Sequence, residues 1–284
     1  MNEAVQFADM FDLAAFVRDY PAVAAALGSD RAMPDRAVLD FLGKVISADL
    51  PIGNVGPTNL LFIAAVAHAT GAFRALEIGT ASGTSSALLA GLIALNRRAT
   101  GDTSQESLVE TIDRKQFCLF DESKPIGFMV RELTPDLTAR VNLHTEGDSF
   151  LTPRLFARAS LDLAFIDGNH QHPWPLLDVL NILPAMRPGG WIIMHDIDLP
   201  TVAALLGIPA RFGAQWLFDE WPQRKVAAGN IGAIAVPDSV GEVRAMLESL
   251  ATRPYEVAET GWNRYRRMVA SAFASTYPSA SGGA

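Results

Sequence analysis

Residues 75–86 have the sequence Ala-Leu-Glu-Ile-Gly-Thr-Ala-Ser-Gly-Thr-Ser-Ser, which predicts a strand, a glycine turn and the start of a helix. The short apolar run contains one acid, Glu77, and a second apolar stretch, Ala87–Leu95, follows the turn. This order is typical of the first crossover in a doubly wound α/β sheet. Glycines allow the backbone to approach a ligand closely, and a helix N-terminus offers unpaired N–H groups. The turn is therefore predicted to hold a small polar ligand.

The spacing of the two glycines, Gly79 and Gly83, limits which ligand this turn can hold. A dinucleotide-binding turn requires Gly-x-Gly-x-x-Gly, but Ala81 occupies the middle position and no third glycine follows. A phosphate-binding loop requires Gly-Lys-Ser or Gly-Lys-Thr, which the segment lacks. Glu77 would repel a pyrophosphate but would suit a positively charged ligand. An ordinary turn between a strand and a helix of an α/β domain remains the alternative.

The pattern Glu-x-Gly-x-x-x-Gly resembles the nucleoside-binding turn of class I S-adenosylmethionine-dependent methyltransferases. Their cofactor carries an ammonium and a sulfonium group, so an acid at the turn suits it. The resemblance implies a Rossmann-like fold with S-adenosylmethionine bound at this turn. The residues that it assigns to the cofactor here are Glu77, Gly79, Thr80, Gly83, Thr84 and Ser85.

Strands and helices alternate along the chain, which predicts a doubly wound, mainly parallel sheet of seven strands with helices on both faces. The first fifty residues show helical spacing of apolar side chains and predict a helical segment before the first strand. The predicted strands are Arg74–Ile78, Ser107–Ile112, Arg140–Thr145, Leu161–Ile166, Trp191–Met194, Arg224–Ala227 and Ile231–Val236.

The chain is predicted to contain one large α/β domain with additions at both ends. Residues 1–55 form an N-terminal helical cap segment, which would cover the ligand cleft or make a homo-oligomer contact. Residues 56–240 form the methyltransferase-like domain, and residues 241–275 form a C-terminal helical extension. The last segment, residues 276–284, is rich in Ser, Gly and Ala and is predicted to be disordered.

Composition excludes several classes of protein. The 284 residues are 49% hydrophobic, which is enough to build a sizeable core, and the net charge of −8 disfavours nucleic acids and anionic membranes as partners. A single cysteine, Cys118, rules out an internal disulfide framework and a thiolate metal cluster. The N-terminus lacks the pattern of a signal peptide, and no apolar stretch is long enough to span a bilayer. We therefore expect a soluble, cytoplasmic protein.

Acidic residues lie at or just past five predicted strand ends, where ligands bind in open α/β sheets. These acids are Glu77, Asp113, Asp148, Asp167 and Asp196. Asp113 closes the second strand, and its carboxylate could accept hydrogen bonds from both hydroxyls of a ribose. Capping of the following helix is the alternative role for Asp113.

Asp148 and Ser149 follow the third predicted strand. In class I methyltransferases this position often carries an acid or amide against the adenine amino group, so the resemblance adds Asp148 and Ser149 to the cofactor site. A helix cap is the alternative for Asp148, and one residue could serve both purposes. Trp174 is a candidate pocket wall, and Asp178 is expected to be a structural acid in the next helix.

The stretch from Leu161 to Asp196 contains two further motifs, Asp167-Gly168-Asn169-His170 and His195-Asp196. It resembles a subgroup of class I methyltransferases with Asp-Gly-x-His after one strand and an acidic or His-Asp pair after the next. Relatives in that subgroup include metal-dependent O-methyltransferases that act on sugars and other natural-product hydroxyls. Together with the glycine turn, the resemblance covers roughly residues 55–240.

The chemistry of methyl transfer suits these side chains. A neutral hydroxyl is a weak nucleophile, so a base and a cation both help it. His170 is a candidate base, with Asp167 beside it, and Asp167 and Asp196 could share a divalent ion such as Mg²⁺ or Mn²⁺. His195 replaces a carboxylate found in some relatives, and imidazole suits softer metals, so His195 is a third candidate ligand or an outer group. A turn histidine and two solvated acids are the alternatives.

Three functions follow from these patterns. The leading hypothesis is an S-adenosylmethionine-dependent O-methyltransferase that acts on a hydroxylated small molecule or sugar with the help of a divalent metal. The second is a metallo-oxygenase or hydrolase that uses a His/carboxylate metal site, which would not need the glycine turn. The third is a non-catalytic partner subunit on a methyltransferase scaffold.

Overall fold

A computed structural model describes residues 3–51 and 55–278. Its centre is one sheet with the strand order β1-β7-β8-β6-β5-β2-β3-β4. All neighbouring strands are parallel except β8, which runs antiparallel to β6 and β7. The strands are β1 (Val5–Phe7), β2 (Ala75–Ile78), β3 (Val109–Ile112), β4 (Val141–His144), β5 (Leu161–Ile166), β6 (Met186–His195), β7 (Lys225–Ala228) and β8 (Ile231–Ala235).

The sheet confirms the predicted doubly wound architecture but has eight strands rather than seven. The additional strand, β1, lies within the segment that was predicted to be helical, and it pairs in parallel with Val226–Ala228. Its three residues are too few to show a period, and their partner lies more than 200 positions away in sequence. Pairing with β7, rather than any local preference, therefore defines this strand.

Strand β6 begins earlier than the predicted Trp191 because the Arg-Pro-Gly-Gly sequence before it forms an irregularity inside the strand. Met186 pairs with Leu161, and the register then shifts so that Trp191 pairs with Leu163. Gly189, with φ of +73°, adopts the left-handed conformation within this irregularity.

Helices cover both faces of the sheet and enclose two apolar cores. The first four helices pack on one face, while α7 and the helices from α9 onward pack on the other. The helices are α1 (Leu13–Leu27), α2 (Arg36–Ile46), α3 (Pro57–Ala69), α4 (Thr84–Ala99), α5 (Phe128–Leu133), α6 (Thr152–Leu155), α7 (Trp174–Ile182), α8 (Leu199–Leu206), α9 (Gly213–Glu220), α10 (Arg244–Ala251) and α11 (Trp262–Thr276). Among these helices of residues 3–51 and 55–278, none is long and apolar enough to cross a membrane.

The N-terminal helices pack on the scaffold through α3 and α4 and share the core of that face. Asp12 and Asp35 begin them as N-caps, each accepting a hydrogen bond from a backbone N–H three residues on. The end of the segment reaches the ligand edge, since Asp49 and Pro51 line a surface pocket with Ala81 of the glycine turn. A homo-oligomer contact through these helices stays a prediction.

The C-terminal helix α11 includes Thr276, the first residue of the predicted disordered tail. Thr276 is buried, and its hydroxyl donates a hydrogen bond to the carbonyl of Leu180 at 2.6 Å. Residues 279–284 of the predicted tail lie outside the described residues.

Candidate active site

The loops that follow β2, β3, β4 and β5 surround a cavity of about 380 Å³ at the carboxyl edge of the sheet, a size typical of small-molecule sites. We call it the carboxyl-end cavity. Its wall includes Gly79 and Ala81 of the glycine turn, and Trp174, as the sequence suggested. The acids that line it are Asp113, Asp148, Asp167 and Asp178.

The glycine turn itself is shaped by close contact with neighbouring loops. Gly79 and Gly83 have φ of +96° and +87°, which favours glycine. A Cβ atom on Gly79 would lie 2.1 Å from the backbone oxygen of Asp167, and one on Gly83 would lie 2.7 Å from Cα of Gly127. The two glycines thus let the turn pack directly against the loops after β5 and β3, a role that the sequence pattern alone did not reveal.

Asp113 fastens the glycine turn to the end of β3. Its Oδ2 accepts hydrogen bonds from the backbone N–H groups of Thr80 (3.1 Å) and Ala81 (3.0 Å), and its Oδ1 accepts one from Lys115 (2.8 Å). The predicted alternative, a cap for the following helix, is not what the structure shows, because residues 114–127 separate Asp113 from α5. Asp113 also lines the carboxyl-end cavity, so a ribose contact stays a prediction for this residue.

Glu77 lies beneath the turn and is fully buried. Its Oε2 accepts hydrogen bonds from the hydroxyls of Ser86 and Thr111, whereas Oε1 has no hydrogen-bond partner among the described residues. Burial raises the pKa of Glu77 to about 7, although the hydroxyls of Ser85, Ser86 and Thr111 oppose the rise. Glu77 is absent from the described lining of the carboxyl-end cavity, so a direct contact with a ligand is a prediction that the geometry does not support.

The hydroxyls of the turn also serve the buried network rather than the cavity. Thr80 Oγ1 lies 2.6 Å from Thr111 Oγ1, and Thr84 Oγ1 lies 3.1 Å from Ser82 Oγ. Thr80, Thr84 and Ser85 are all buried. Thr80 reaches Glu77 through Thr111, and Ser85 acts on Glu77 directly. Thr80, Thr84 and Ser85 are absent from the described lining of the carboxyl-end cavity, so a ligand there would meet the backbone of the turn instead.

Replacing Glu77 by glutamine is expected to remove a pH-dependent loss of stability. The pKa of Glu77 lies near 7 in the folded chain and near 4.5 when unfolded, so the folded state binds more protons between these values and stability falls as pH rises through that window. The glutamine variant lacks this pH-dependent contribution to the free energy of unfolding. Its free energy of unfolding, relative to the parent, should therefore increase by about 3 kcal/mol between pH 4.5 and pH 8. Urea unfolding at both pH values measures the difference.

The exposed acid Glu122 provides the matched control, since Glu122→Gln removes one negative charge without touching the buried network. Equal stability differences for Glu77→Gln at pH 4.5 and pH 8 would contradict the prediction.

Asp148 performs the capping role that the sequence offered as an alternative. Its Oδ1 accepts a hydrogen bond from the backbone N–H of Phe150 at 3.2 Å, and it also lines the carboxyl-end cavity. Ser149 is buried and accepts a hydrogen bond from Asn181 at 3.1 Å. Asp178, which the sequence assigned a structural role, lines the cavity as well, and burial raises its pKa to about 7. Contacts of Asp148 and Ser149 with an adenine stay predictions.

Four predicted side chains meet where β5 and β6 end, and we call them the His/Asp cluster. The Nε2 atom of His170 lies 2.9 Å from Oδ2 of Asp196 and 3.9 Å from Oδ1 of Asp167. The Nδ1 atom of His195 lies 3.3 Å from Oδ1 of both carboxylates. Adjacent parallel strands place their ends together, which is why residues 25 or more positions apart converge here.

Charge within the His/Asp cluster shifts the pKa values of its members. Burial lowers the pKa of His195, but the carboxylates of Asp167 and Asp196 outweigh it and raise the pKa to about 10. Burial also opposes the rise for His170, whose pKa is raised by Asp196 and Asp167. The two imidazoles in turn hold the pKa of Asp196 well below its usual range, against the effect of its burial.

The donor set of the cluster fits a divalent cation. Ligand atoms of Asp167, His170 and Asp196 all lie within 4.8 Å of one another. The buried Nδ1 of His195 lies 3.3 Å from an oxygen of each carboxylate without hydrogen-bond geometry to the described residues, so it adds a nitrogen atom to the same group of ligand atoms. Its other ring nitrogen, Nε2, lies 2.8 Å from the side-chain amide of Asn59, which orients the ring.

Two residues that support the cluster were not predicted from the sequence. Asn59 comes from α3, and Asn230 comes from the turn between β7 and β8 and donates a hydrogen bond to Asp196 Oδ1. Asp196 has φ of +58°, an uncommon conformation for a residue other than glycine. Neither asparagine stands in a motif, so no local signal could have identified them.

Comparison with known proteins agrees with this site. Residues 76–197 match the profile of a family described as a methyltransferase domain, and that segment holds the glycine turn, Asp113, Asp148 and the whole His/Asp cluster. No curated protein matches the chain in sequence.

Several solved structures show a distant likeness. A cofactor-bound protein from MTB is 21% identical with a TM-score of 0.48, and the match covers 77% of this chain and 97% of that one. The O-methyltransferase from Bacillus cereus in complex with SAH is 21% identical with a TM-score of 0.45 over 77% and 99% of the chains. The O-methyltransferase TomG from Streptomyces achromogenes in complex with SAM is 18% identical with a TM-score of 0.45 over 78% and 98%. These likenesses are too distant to carry function from one chain to another. The family match is the stronger finding: over residues 76–197 this chain is similar to the family described as a methyltransferase domain.

Proposed function

We propose that this protein transfers the methyl group of S-adenosylmethionine to a hydroxyl oxygen of a small molecule or sugar, and that a divalent metal assists the transfer. The position of Asp167 carries the proposal. Its side chain belongs to the His/Asp cluster, the residue lines the carboxyl-end cavity, and its backbone packs on Gly79 of the glycine turn. A methyl donor in that cavity would therefore lie beside the groups that activate an acceptor.

The carboxyl-end cavity suits a donor that carries positive charge. Its wall has four acids, Asp113, Asp148, Asp167 and Asp178, against two cations, Arg114 and Lys115, and this excess of acids favours an ammonium and a sulfonium over a pyrophosphate. Asp113 still has an acceptor position for a ribose hydroxyl, because a carboxylate has about four such positions and three are occupied. S-adenosylmethionine would supply the methyl group for an in-line displacement by the acceptor oxygen.

The residues of the cluster would have two roles toward the acceptor, as a base and as ligands of the cation. His170 would accept the hydroxyl proton at Nδ1, because its Nε2 is held by Asp196 in the 2.9 Å contact that orients the ring. Asp167, Asp196 and His195 would hold the cation, because Nδ1 of His195 lies 3.3 Å from an oxygen of each carboxylate, and binding would displace the proton that the two carboxylates favour on this ring. Mixed oxygen and imidazole ligands favour Mn²⁺ over Mg²⁺. Such a cation would supply positive charge that lowers the pKa of a bound hydroxyl and neutralises the two carboxylates.

Thermal-shift and calorimetric titrations test the proposal. S-adenosylhomocysteine should raise the melting temperature in proportion to the logarithm of its concentration above Kd, while NAD should not. Mn²⁺ should bind in a separate titration, and methyl transfer to a panel of hydroxylated compounds should then be detected by mass spectrometry. Stabilisation by NAD instead would contradict the cofactor assignment, and stabilisation by metal without S-adenosylhomocysteine binding would favour a metallo-oxygenase or hydrolase.

A further inference from the structure

We propose that Glu256 is a positioning residue that fixes the loop carrying His170 against the start of α9. Glu256 lies in the C-terminal segment, outside the matched methyltransferase domain and outside every motif of the sequence. We call this connection between the His170 loop and α9 the clamp. An effect of the clamp on catalysis rests on the proposed function, since His170 is the base only in that reaction, but the clamp itself does not depend on that function.

The side chain of Glu256 accepts three backbone hydrogen bonds from two separate elements. Oε2 accepts one from His172 at 2.6 Å and one from Gly213 at 3.2 Å, and Oε1 accepts one from Phe212 at 2.8 Å. One carboxylate therefore joins the loop after β5 to the first residues of α9.

Main-chain contacts reinforce the same junction. The backbone N–H of Glu256 donates to the carbonyl of His172 at 2.9 Å, and the side-chain amide of Gln171 donates to the carbonyl of Glu256 at 3.1 Å. Five hydrogen bonds in all thus connect position 256 with residues 171–172 and 212–213. The dense pairing is typical of a fixed junction rather than of a mobile loop contact.

Local chemistry explains why both elements need an outside acceptor. Phe212 occupies the N-cap position of α9 and has no side chain that can cap the helix. Residues 168–173 form neither a helix nor a strand, so their N–H groups lack a regular partner. A carboxylate at a helix N-terminus is also favoured by the helix dipole.

The junction reaches His170 through direct backbone packing. A Cβ atom on Gly213 would lie 2.7 Å from the carbonyl oxygen of His170 and 2.8 Å from the backbone nitrogen of His172. The start of α9 therefore sits against the main chain of the candidate base. Because a 1 Å misplacement of a catalytic group can cost on the order of 10²-fold in rate, a clamp at this point would matter for turnover.

The substitution Glu256→Gln tests the clamp while keeping the size of the side chain. Its NH₂ group must face at least one of the three backbone donors, so the junction should loosen. We expect amide exchange in residues 168–173 and 210–215 to accelerate by about tenfold or more, measured by hydrogen-exchange mass spectrometry. Glu259→Gln, an exposed substitution three residues away, should leave both segments unchanged.

Histidine NMR reports whether His170 itself moves. The chain has five histidines, so selective labelling gives a simple spectrum in which the His170 signal is assigned by its loss in His170→Asn. The His170 signal should shift in Glu256→Gln and stay in place in Glu259→Gln. If Glu256→Gln does not fold, Gly213→Ala perturbs the same junction from α9 and should shift the same signal.

Calorimetry with S-adenosylhomocysteine separates this inference from the proposed function. Binding should be within about twofold of the parent in Glu256→Gln, because the residue lies outside the described lining of the carboxyl-end cavity. Failure of the parent protein to bind would overturn the proposed function and the catalytic consequence, while faster exchange would still support the clamp. Unchanged exchange and an unshifted His170 signal in a folded Glu256→Gln protein would overturn the clamp itself.

Discussion

Replacing Asp167 by asparagine is expected to weaken Mn²⁺ binding and methyl transfer together. Asp167 is one of the two carboxylates of the His/Asp cluster, and its Oδ1 lies 3.3 Å from Nδ1 of His195. Loss of this charge should lower Mn²⁺ affinity by at least about 10–100-fold, the effect known for residues that merely support a ligand. Turnover should fall by about 10²–10³-fold, as when a group that stabilises developing charge is removed.

Asparagine keeps the shape of the side chain and leaves the backbone contact with Gly79 intact. S-adenosylhomocysteine should therefore still bind to the Asp167→Asn protein. Electron paramagnetic resonance of free Mn²⁺ measures the metal affinity, and calorimetry measures the nucleoside. Asp198→Asn is the matched control, because Asp198 lies two residues past Asp196 but its side chain accepts a hydrogen bond from the Thr201 hydroxyl of α8 and is not part of the cluster. Full Mn²⁺ affinity in Asp167→Asn would show that the cluster is not a metal site.

Replacing His170 by alanine should abolish measurable turnover while cofactor binding persists. A positioned base contributes typically 10²–10⁴-fold to the rate, and His170 is the imidazole that Asp196 orients directly. Initial rates of methyl transfer and calorimetry with S-adenosylhomocysteine measure the two effects separately.

His144→Asn serves as the control for loss of an imidazole. His144 ends the edge strand β4, three strands from β5, and hydrogen-bonds to Glu110 rather than to the cluster. Its turnover should be close to that of the parent. Loss of S-adenosylhomocysteine affinity in His170→Ala would instead reassign His170 to the cofactor half of the site.

Much of the fold could be predicted because it depends on local patterns. Strands β2 to β8 show apolar runs between turn residues, and the acids after them mark the ligand edge. Strand β1 could not be predicted, since three residues carry no period and their pairing with β7 is a tertiary effect. The irregularity before Trp191 was interpreted as a turn for a similar reason, because Arg-Pro-Gly-Gly has turn composition whether or not it lies inside a strand.

Part of the candidate site could likewise be predicted from the sequence, and part could not. Asp167, His170, His195 and Asp196 lie at or just past strand ends, so strand order brings them together. The roles of the turn hydroxyls could not be read from sequence, because a serine beside a buried acid and a serine beside a ligand have the same pattern.

The supporting residues depend on contacts over long sequence separations. Asn59 reaches His195 across 136 positions, and Glu256 reaches His172 across 84. No spacing rule covers such pairs.

The hairpin between β7 and β8 supports the His/Asp cluster from outside the segment that contains its four residues. Asn230 donates to Asp196, and its own side-chain and backbone oxygens accept from Asp198 and Ile197. It thereby holds Asp196 in a left-handed conformation that would relax without support. A fragment that stopped at residue 197 would contain all four residues of the cluster but would lack the hairpin that holds Asp196 in place. We therefore expect that a chimera carrying residues 161–197 without the hairpin would keep the four side chains of the cluster but lose their arrangement.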